Sequence, residues 1–185
     1  MRAKERHGRM VAVRSHERSH PGSSERVGDQ WVSIRPIERT DASGLSDFYD
    51  RLSLESRRRR FLGCVRRSGA ELAAALTEHD GQGFVAILAE RGPNDGAVVG
   101  HATLQPDGTG GAEIAFAVAD DLQGRGIGHR LMDAVVAGAR SARLRRLNAT
   151  LFADNAAMMR QLRDPDGSVV SDSIEGGVEE IVLAV

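Results

Sequence analysis

Val118-Ala119-Asp120-Asp121-Leu122-Gln123-Gly124-Arg125-Gly126-Ile127-Gly128 places three glycines within five residues, between two segments of opposite periodicity. Upstream, Glu113, Ala115 and Ala117 alternate with Ile114, Phe116 and Val118, the pattern of a strand with two distinct faces. Downstream, Leu131, Met132, Val135, Val136 and Ala139 recur at helical spacing, which predicts an amphipathic helix from about His129 to Ala142. The glycines therefore sit where a strand turns into a helix. A helix N-terminus leaves backbone N–H groups unpaired and carries partial positive charge, so it favours anions. Glycine at alternate positions removes Cβ atoms and lets the backbone wrap a bulky diphosphate. Arg125 can add a charged contact to the phosphates.

Three phosphate-binding patterns compete for this turn. A P-loop needs Gly-Lys-Ser/Thr, which is absent. A dinucleotide fingerprint needs G-x-G-x-x-G near the first strand, but after Gly124 and Gly126 the required position is His129, and three strands already precede this one. The spacing that fits is Q/R-x-x-G-x-G/A, read on Gln123, Gly126 and Gly128. The bland alternative is a glycine-rich connection with no ligand.

Working outward, a short strand is expected at Trp31 to Ile37. A helix capped by Thr40 or Asp41 carries Leu45, Phe48, Tyr49 and Leu52. A short helix capped near Ser53 runs into Arg57 to Arg60, and another covers Ser68 to Thr77. Strands follow at Phe84 to Glu90, Ala97 to Leu104 and Ala112 to Val118, separated by Pro93-Asn94-Asp95-Gly96 and Pro106-Asp107-Gly108. After the glycine turn and its helix come a strand at Leu147 to Phe152, a helix at Ala156 to Arg163 capped by Asp154 or Asn155, and a closing hairpin of Ser168 to Ile174 and Val178 to Val185. That order describes a mixed α/β sheet domain over residues 30–185.

Residues 1–29 differ in kind: they are rich in Arg, His, Ser and Gly, with no large apolar residue between Val13 and Val27. They are expected to form a disordered tail, because little burial is on offer to offset the entropy of ordering. Met10 could be the true start. The whole chain, 185 residues with 41% hydrophobic and 28% charged residues and a net charge of −1, has the composition of a soluble globular protein without a global pull toward nucleic acid or anionic membrane. Cys64 is the single cysteine, no Cys/His spacing resembles a metal site, and no apolar run approaches the ~20 residues of a membrane span. A cytoplasmic location is expected, with no metal.

On Gln123, Gly126 and Gly128 the sequence resembles the GNAT superfamily of N-acetyltransferases. More narrowly, Arg51-Leu52-Ser53-Leu54-Glu55-Ser56 with Arg60-Phe61-Leu62-Gly63, the run Ala112-Glu113-Ile114-Ala115-Phe116, and Asn155 after the next strand are similar to the acetyltransferase domain of bacterial protein lysine acetyltransferases. Those domains are often fused to acyl-CoA synthetase-like or cyclic-nucleotide-binding modules, and no such module is expected within these residues. The resemblance implies a GNAT fold: a mixed, mostly antiparallel sheet splayed between its fourth and fifth strands, with helices on both faces. It implies acetyl-CoA as co-substrate, with the pyrophosphate on Gln123, Gly124, Arg125, Gly126, Ile127, Gly128 and His129. The pantetheine arm would pair with backbone groups of Phe116, Ala117 and Val118, and Asn155 would contact the arm or the surroundings of the attacking amine.

An alkyl ammonium, with a reference pKa of about 10.4, must lose a proton before it attacks a thioester. In the family Glu113's position supplies that base, which implies the role here; an exposed strand glutamate is the bland alternative. Asp80 fits a turn or a contact to a cationic amine. His79 could be a base near neutral pH, while His129 is assigned to the phosphates or to the surface. Many family members carry a tyrosine in the helix after Asn155 as general acid. That helix has none here, the only tyrosine being Tyr49, so the acid is unassigned. Arg57 to Arg60 is read as a solvated helix end, with an acidic protein surface or the CoA 3′-phosphate as alternatives. The implied reaction is direct acetyl transfer to an amine in a ternary complex. The acceptor expected is a protein lysine, for instance on an acyl-CoA synthetase; a small-molecule amine acceptor, or a non-catalytic acyl-CoA-sensing module, are the rivals.

Overall fold

The computed structural model describes residues 25–27, 30–64, 66–78, 85–91, 96–163 and 168–185. His79, Asp80, Phe84 and the turn segments at 93–95 and 164–167 lie outside the described residues.

Eight strands form one sheet. Strand β1 (Glu25–Val27) and β2 (Gln30–Pro36) pair antiparallel. Next come α1 (Ala42–Arg51), α2 (Leu54–Phe61) and α3 (Gly69–Thr77). Strands β3 (Val85–Arg91), β4 (Val98–Pro106) and β5 (Gly111–Val118) lead to α4 (Ile127–Ser141). The chain closes with β6 (Arg146–Phe152), α5 (Ala156–Arg163), β7 (Ser168–Glu175) and β8 (Val178–Ala184). The spatial order is β1-β2-β3-β4-β5-β6-β8-β7, antiparallel throughout except for the parallel neighbours β5 and β6.

The tail expected over residues 1–29 is corrected at its end. Residues 25–27 are a strand, because Val27 has an apolar place to go: it is buried against the main core, beside the glycine turn. Asp41 also departs from expectation. It makes no cap bond to α1; its carboxylate accepts from the Glu38 amide at 2.7 Å and from both terminal nitrogens of Arg35. The cap expected near Ser53 is present, and α3 has one that was not anticipated. Ser53 Oγ accepts from the Ser56 amide, and Ser68 and Glu71 form a capping box on α3.

Two cores lie on opposite faces of the sheet. On one, α4 buries Leu131, Val135, Val136 and Ala139 against Ala102, Leu104, Ala112, Ile114 and Leu147. On the other, α1 and α3 bury Leu45, Phe48, Tyr49, Leu72 and Leu76 against Val98, with Phe61 of α2 packed alongside. Burying a side chain of this size contributes roughly 1.5–3 kcal/mol, so both faces are firmly covered. Pairing between the longer strands runs over five to seven rows except at one seam.

That seam is β5–β6. Strand β5 pairs with β4 over seven residues, from Gly100↔Val118 to Pro106↔Ala112, and β6 pairs with β8 over seven more. Between β5 and β6 only Gly111↔Arg146, Ala112↔Leu147 and Glu113↔Asn148 are in register. Beyond Glu113 and Asn148 the two strands diverge. Strand β1 adds one to the count, so β5 and β6 are the fourth and fifth strands of the expected splay.

Candidate active site

The divergence of β5 from β6 opens a cleft of about 590 Å³. Its walls are Ile114 to Val118 of β5, Ala149 to Leu151 of β6, the glycine turn, the start of α5 and the inner side of α2.

The glycine turn is built as its spacing demands. After β5 ends at Val118, a short 3-10 turn (Asp120–Leu122) buries Leu122. Gly124 and Gly126 then adopt φ of +74° and +95°, left-handed values that a side chain would disfavour. Helix α4 begins at Ile127, two residues earlier than its apolar stripe suggested, so the amides of its first turn have no carbonyl a turn earlier to bond. Gln123 donates from Nε2 to Ser56 Oγ (3.1 Å) and to the Val118 carbonyl (3.2 Å), which pins the turn to both α2 and the end of β5.

Of the residues expected at the co-substrate, Phe116, Ala117, Val118, Gln123, Gly124, Gly126, Gly128, His129 and Asn155 line the cleft. Ile127 does not, since its side chain is fully buried and anchors the start of α4 in the core. Arg125 is exposed outside the lining. Asn155 Oδ1 accepts from the Met158 amide as the cap of α5 and from Arg59 Nη1, both at 3.3 Å. Glu113 is exposed at the closed end of the splay, opposite Gln105 and Asn148 in the last paired row. It shares the strand face of Ala115 and Ala117, which do line the cleft.

Helix α2 is the part of the site that periodicity did not reveal. Ser53, Glu55, Ser56, Arg59 and Arg60 all line the cleft. The helix is held there by Asp120, whose carboxylate accepts from the Ser53 amide (2.8 Å), Ser53 Oγ (2.8 Å) and Ser56 Oγ (2.6 Å). Burial pushes the Asp120 carboxyl upward, but those hydrogen bonds outweigh it and keep it below the ordinary value. The cap at Ser53 was readable; its second duty, sixty-seven residues away on Asp120, was not.

The arginine run is a solvated helix end for Arg57, Arg58 and Arg59, and the sequence reading is corrected at Arg60. Arg57 donates to the Arg67 carbonyl, Arg58 lies 4.0 Å over the Phe152 ring, and Arg59 pairs with Glu55 at 2.6 Å. Arg60 turns inward, where its Nη2 donates to Thr103 Oγ1 at 3.3 Å. Its Nε is buried with no hydrogen-bond partner among the described residues. Burial lowers the Arg60 pKa, with Tyr49 and Glu113 opposing the shift.

Beneath Arg60, Tyr49 and His101 form a buried pair, Oη to Nε2 at 2.7 Å. Burial, and secondarily the Arg60 charge, hold His101 well below its ordinary pKa, so the imidazole is neutral. Burial also pushes the Tyr49 hydroxyl up to about 12, against the opposing pull of Arg60 and Arg57. Tyr49 does not line the cleft and is set in the core, so it does not fill the general-acid position left open by the sequence. Among the described residues no cluster of three His, Cys, Asp or Glu could hold a metal, and no helix is long and apolar enough to cross a membrane.

A strand–glycine turn–helix beside a parallel pair that opens after three rows defines a known class of protein. Residues 45–162 match the acetyltransferase (GNAT) family, and the chain belongs to that family. It is 35% identical over 143 residues to Acetyltransferase Pat of Mycolicibacterium smegmatis, covering 76% of this chain but only 42% of that relative's length. It is 32% identical over 163 residues to Acetyltransferase PA5475 of Pseudomonas aeruginosa, covering 76% of this chain and 86% of that one. The solved GNAT domain of S. lividans PAT is similar at a TM-score of 0.73 with 29% identity, over 84% of this chain and 91% of that one. The fold is the GNAT fold expected from the turn.

Proposed function

We propose that the protein transfers the acetyl group of acetyl-CoA directly to an amine, and that the amine is a protein lysine. The observation that carries the reading is the β5–β6 seam, three paired rows followed by an open cleft whose wide end meets the glycine turn. In this reading the turn from Gln123 to His129 takes the pyrophosphate on backbone amides and helix dipole. Phe116 to Val118 offer β5 backbone groups that β6 does not use, since the β5–β6 register stops at Glu113. The pantetheine arm bonds to those groups, and an N–H there polarises the thioester oxygen. Asn155, fixed by its cap bond, borders the arm.

Glu113 takes the proton of the incoming ammonium, directly or through water, before the free amine attacks; as the C–N bond forms and the C–S bond breaks, the second proton leaves the nitrogen for the departing sulfur or for water. The thiolate departs without a dedicated donor, tolerable for a thiol of pKa about 8.5. The protein-lysine acceptor rests on the similarity to the relatives named Pat and on Glu113 lying at the exposed, closed end of the seam, where an acceptor on another protein can reach it. The test is to incubate the protein with acetyl-CoA and a cell lysate and to map new acetyl-lysines by mass spectrometry, with free polyamines and amino acids assayed in parallel. New sites confined to a few proteins are expected. Turnover on small amines alone would replace the acceptor class, and acetyl-CoA binding with no turnover on any amine would leave a sensor.

A further inference from the structure

Three of the four arginines from Arg57 to Arg60 are matched by an acceptor, a carboxylate or a ring at the surface of α2. Arg60 differs: among the described residues it meets only the Phe61 ring, 4.9 Å from its centroid, and the Thr103 hydroxyl. Its guanidinium reaches into the cleft, tied by one 3.3 Å bond to a neutral hydroxyl, with its Nε buried and unpartnered among the described residues. No carboxylate lies within ion-pair distance of it among those residues. Its nearest acidic influence is Glu113, which acts only at longer range. Burying a cation without a paired anion is costly, and a hydrogen-bonded anion is what ordinarily offsets the cost.

The register fixes where that cation stands. Thr103, which holds Arg60, is the direct partner of Ala115 on β5. The phosphate turn follows Val118, so an arm running back along Val118 to Phe116 brings its thioester end to the Ala115 row. Glu113 lies on the same face two residues further on, about 6–7 Å away along the strand. An acyl chain longer than acetyl, extending past the thioester under α2, therefore meets Arg60 before it meets solvent.

We propose that Arg60 forms a carboxylate-binding subsite for the acyl group, so that the enzyme accepts CoA thioesters of short dicarboxylic acids such as succinyl-CoA; this rests on the acyl-CoA reading of the same cleft. In the transfer the amine nitrogen bonds to the thioester carbonyl carbon, the C–S bond breaks and CoA leaves as thiolate. One proton of the incoming ammonium passes to Glu113 before attack, the second leaves for the departing sulfur or for water, and the distal carboxylate stays on Arg60 unchanged. A guanidinium offers a planar fork of donors suited to that carboxylate.

The experiment compares succinyl-CoA with butyryl-CoA, which has the same chain length without the charge, by calorimetry on the full chain. Wild type should bind succinyl-CoA about 10- to 100-fold more tightly than butyryl-CoA, the range expected of a hydrogen bond to a charged group. Arg60→Met should erase or invert that ratio, and Arg60→Lys should restore part of it. A ratio near one in the wild type overturns the subsite even if no variant folds. So does a ratio that survives Arg60→Met, or a loss on Arg60→Met seen only as a raised KM for a carboxylate-bearing amine. Acetyl-CoA binding and turnover without a succinyl preference would sink the subsite alone; no binding of any CoA thioester would sink the acyl-CoA reading with it.

Discussion

The two long walls of the cleft are made of different material. On the α4 side the working groups are main-chain amides, set by left-handed Gly124 and Gly126 and by the start of α4 at Ile127. On the α2 side they are side chains: Ser53, Ser56, Arg59 and Arg60, docked by Asp120 and Gln123. The first wall is assembled from residues adjacent in sequence. The second is joined by bonds spanning sixty-seven residues. A wall of backbone serves any ligand with a diphosphate, whereas a wall of side chains can discriminate what the diphosphate carries.

The largest effect should come from breaking the backbone wall. Gly126→Asp places a carboxylate at the proposed phosphate site, a juxtaposition costing several kcal/mol. It also forces a side chain into φ +95°, with its Cβ 3.2 Å from Val27 Cγ1, which costs a further ~1–3 kcal/mol. Acetyl-CoA binding should fall by roughly 10³-fold or more. Gly126→Ala carries the strain without the charge and should fall between wild type and Gly126→Asp. Calorimetry finding undiminished affinity in a folded Gly126→Asp protein would remove the phosphate assignment.

The same contrast governs how much was legible beforehand. Strand–turn–helix spacing is local, so β5, the glycine turn, α4 and β6 could be placed from Ala112 to Phe152, whereas the splay between β5 and β6 came only from the family resemblance. Gln123 fitted a motif position, but its bonds to Ser56 and Val118 belong to tertiary structure. Strand β1 was missed because three residues with one buried valine carry no periodicity. Arg57, Arg58, Arg59 and Arg60 are the same letter four times, and only the packing of α2 over the splay distinguishes the last. Strand β4 was placed from its flanking turns rather than from alternation, since its first seven residues are all buried with helices on both faces. Glu113 was legible as a strand residue; its place at the last paired row was not.

A smaller but still large effect is expected where the two walls converge. Glu113→Gln keeps shape and hydrogen bonding and removes proton affinity, so the rate at neutral pH should fall by roughly 10²–10⁴-fold. Acetyl-CoA affinity should hold, because the carboxylate lies outside the cleft lining. The rate loss should appear with every amine acceptor the wild type uses. A variant with wild-type rates on those acceptors would make Glu113 a surface residue, and the base would have to be sought elsewhere.

The smallest effect sharpens the side-chain wall from beneath. His101 is completely buried, bonded to Tyr49 through Nε2, with Nδ1 lacking a hydrogen-bond partner among the described residues and Arg60 adding positive potential. The folded protein thus holds this imidazole neutral, with its pKa well below 6.5. In the unfolded chain the same group takes up a proton near its ordinary value of about 6.5. Below that pH the unfolded state binds the extra proton, so stability is fully present at neutral pH and declines as the solution is acidified. One such proton amounts to at most about 2 kcal/mol between pH 7 and pH 5. His101→Gln, which retains a hydrogen-bonding group for Tyr49 but cannot titrate, should be less stable at pH 7 and should lose this share of the acid sensitivity. Urea unfolding of both proteins at pH 7 and pH 5 reads the difference directly, and the other histidines cancel in the comparison. Equal losses in the two proteins would mean that His101 takes up its proton inside the fold. The floor under Arg60 would then be wet rather than dry, and the guanidinium above it would be hydrated without needing a ligand carboxylate.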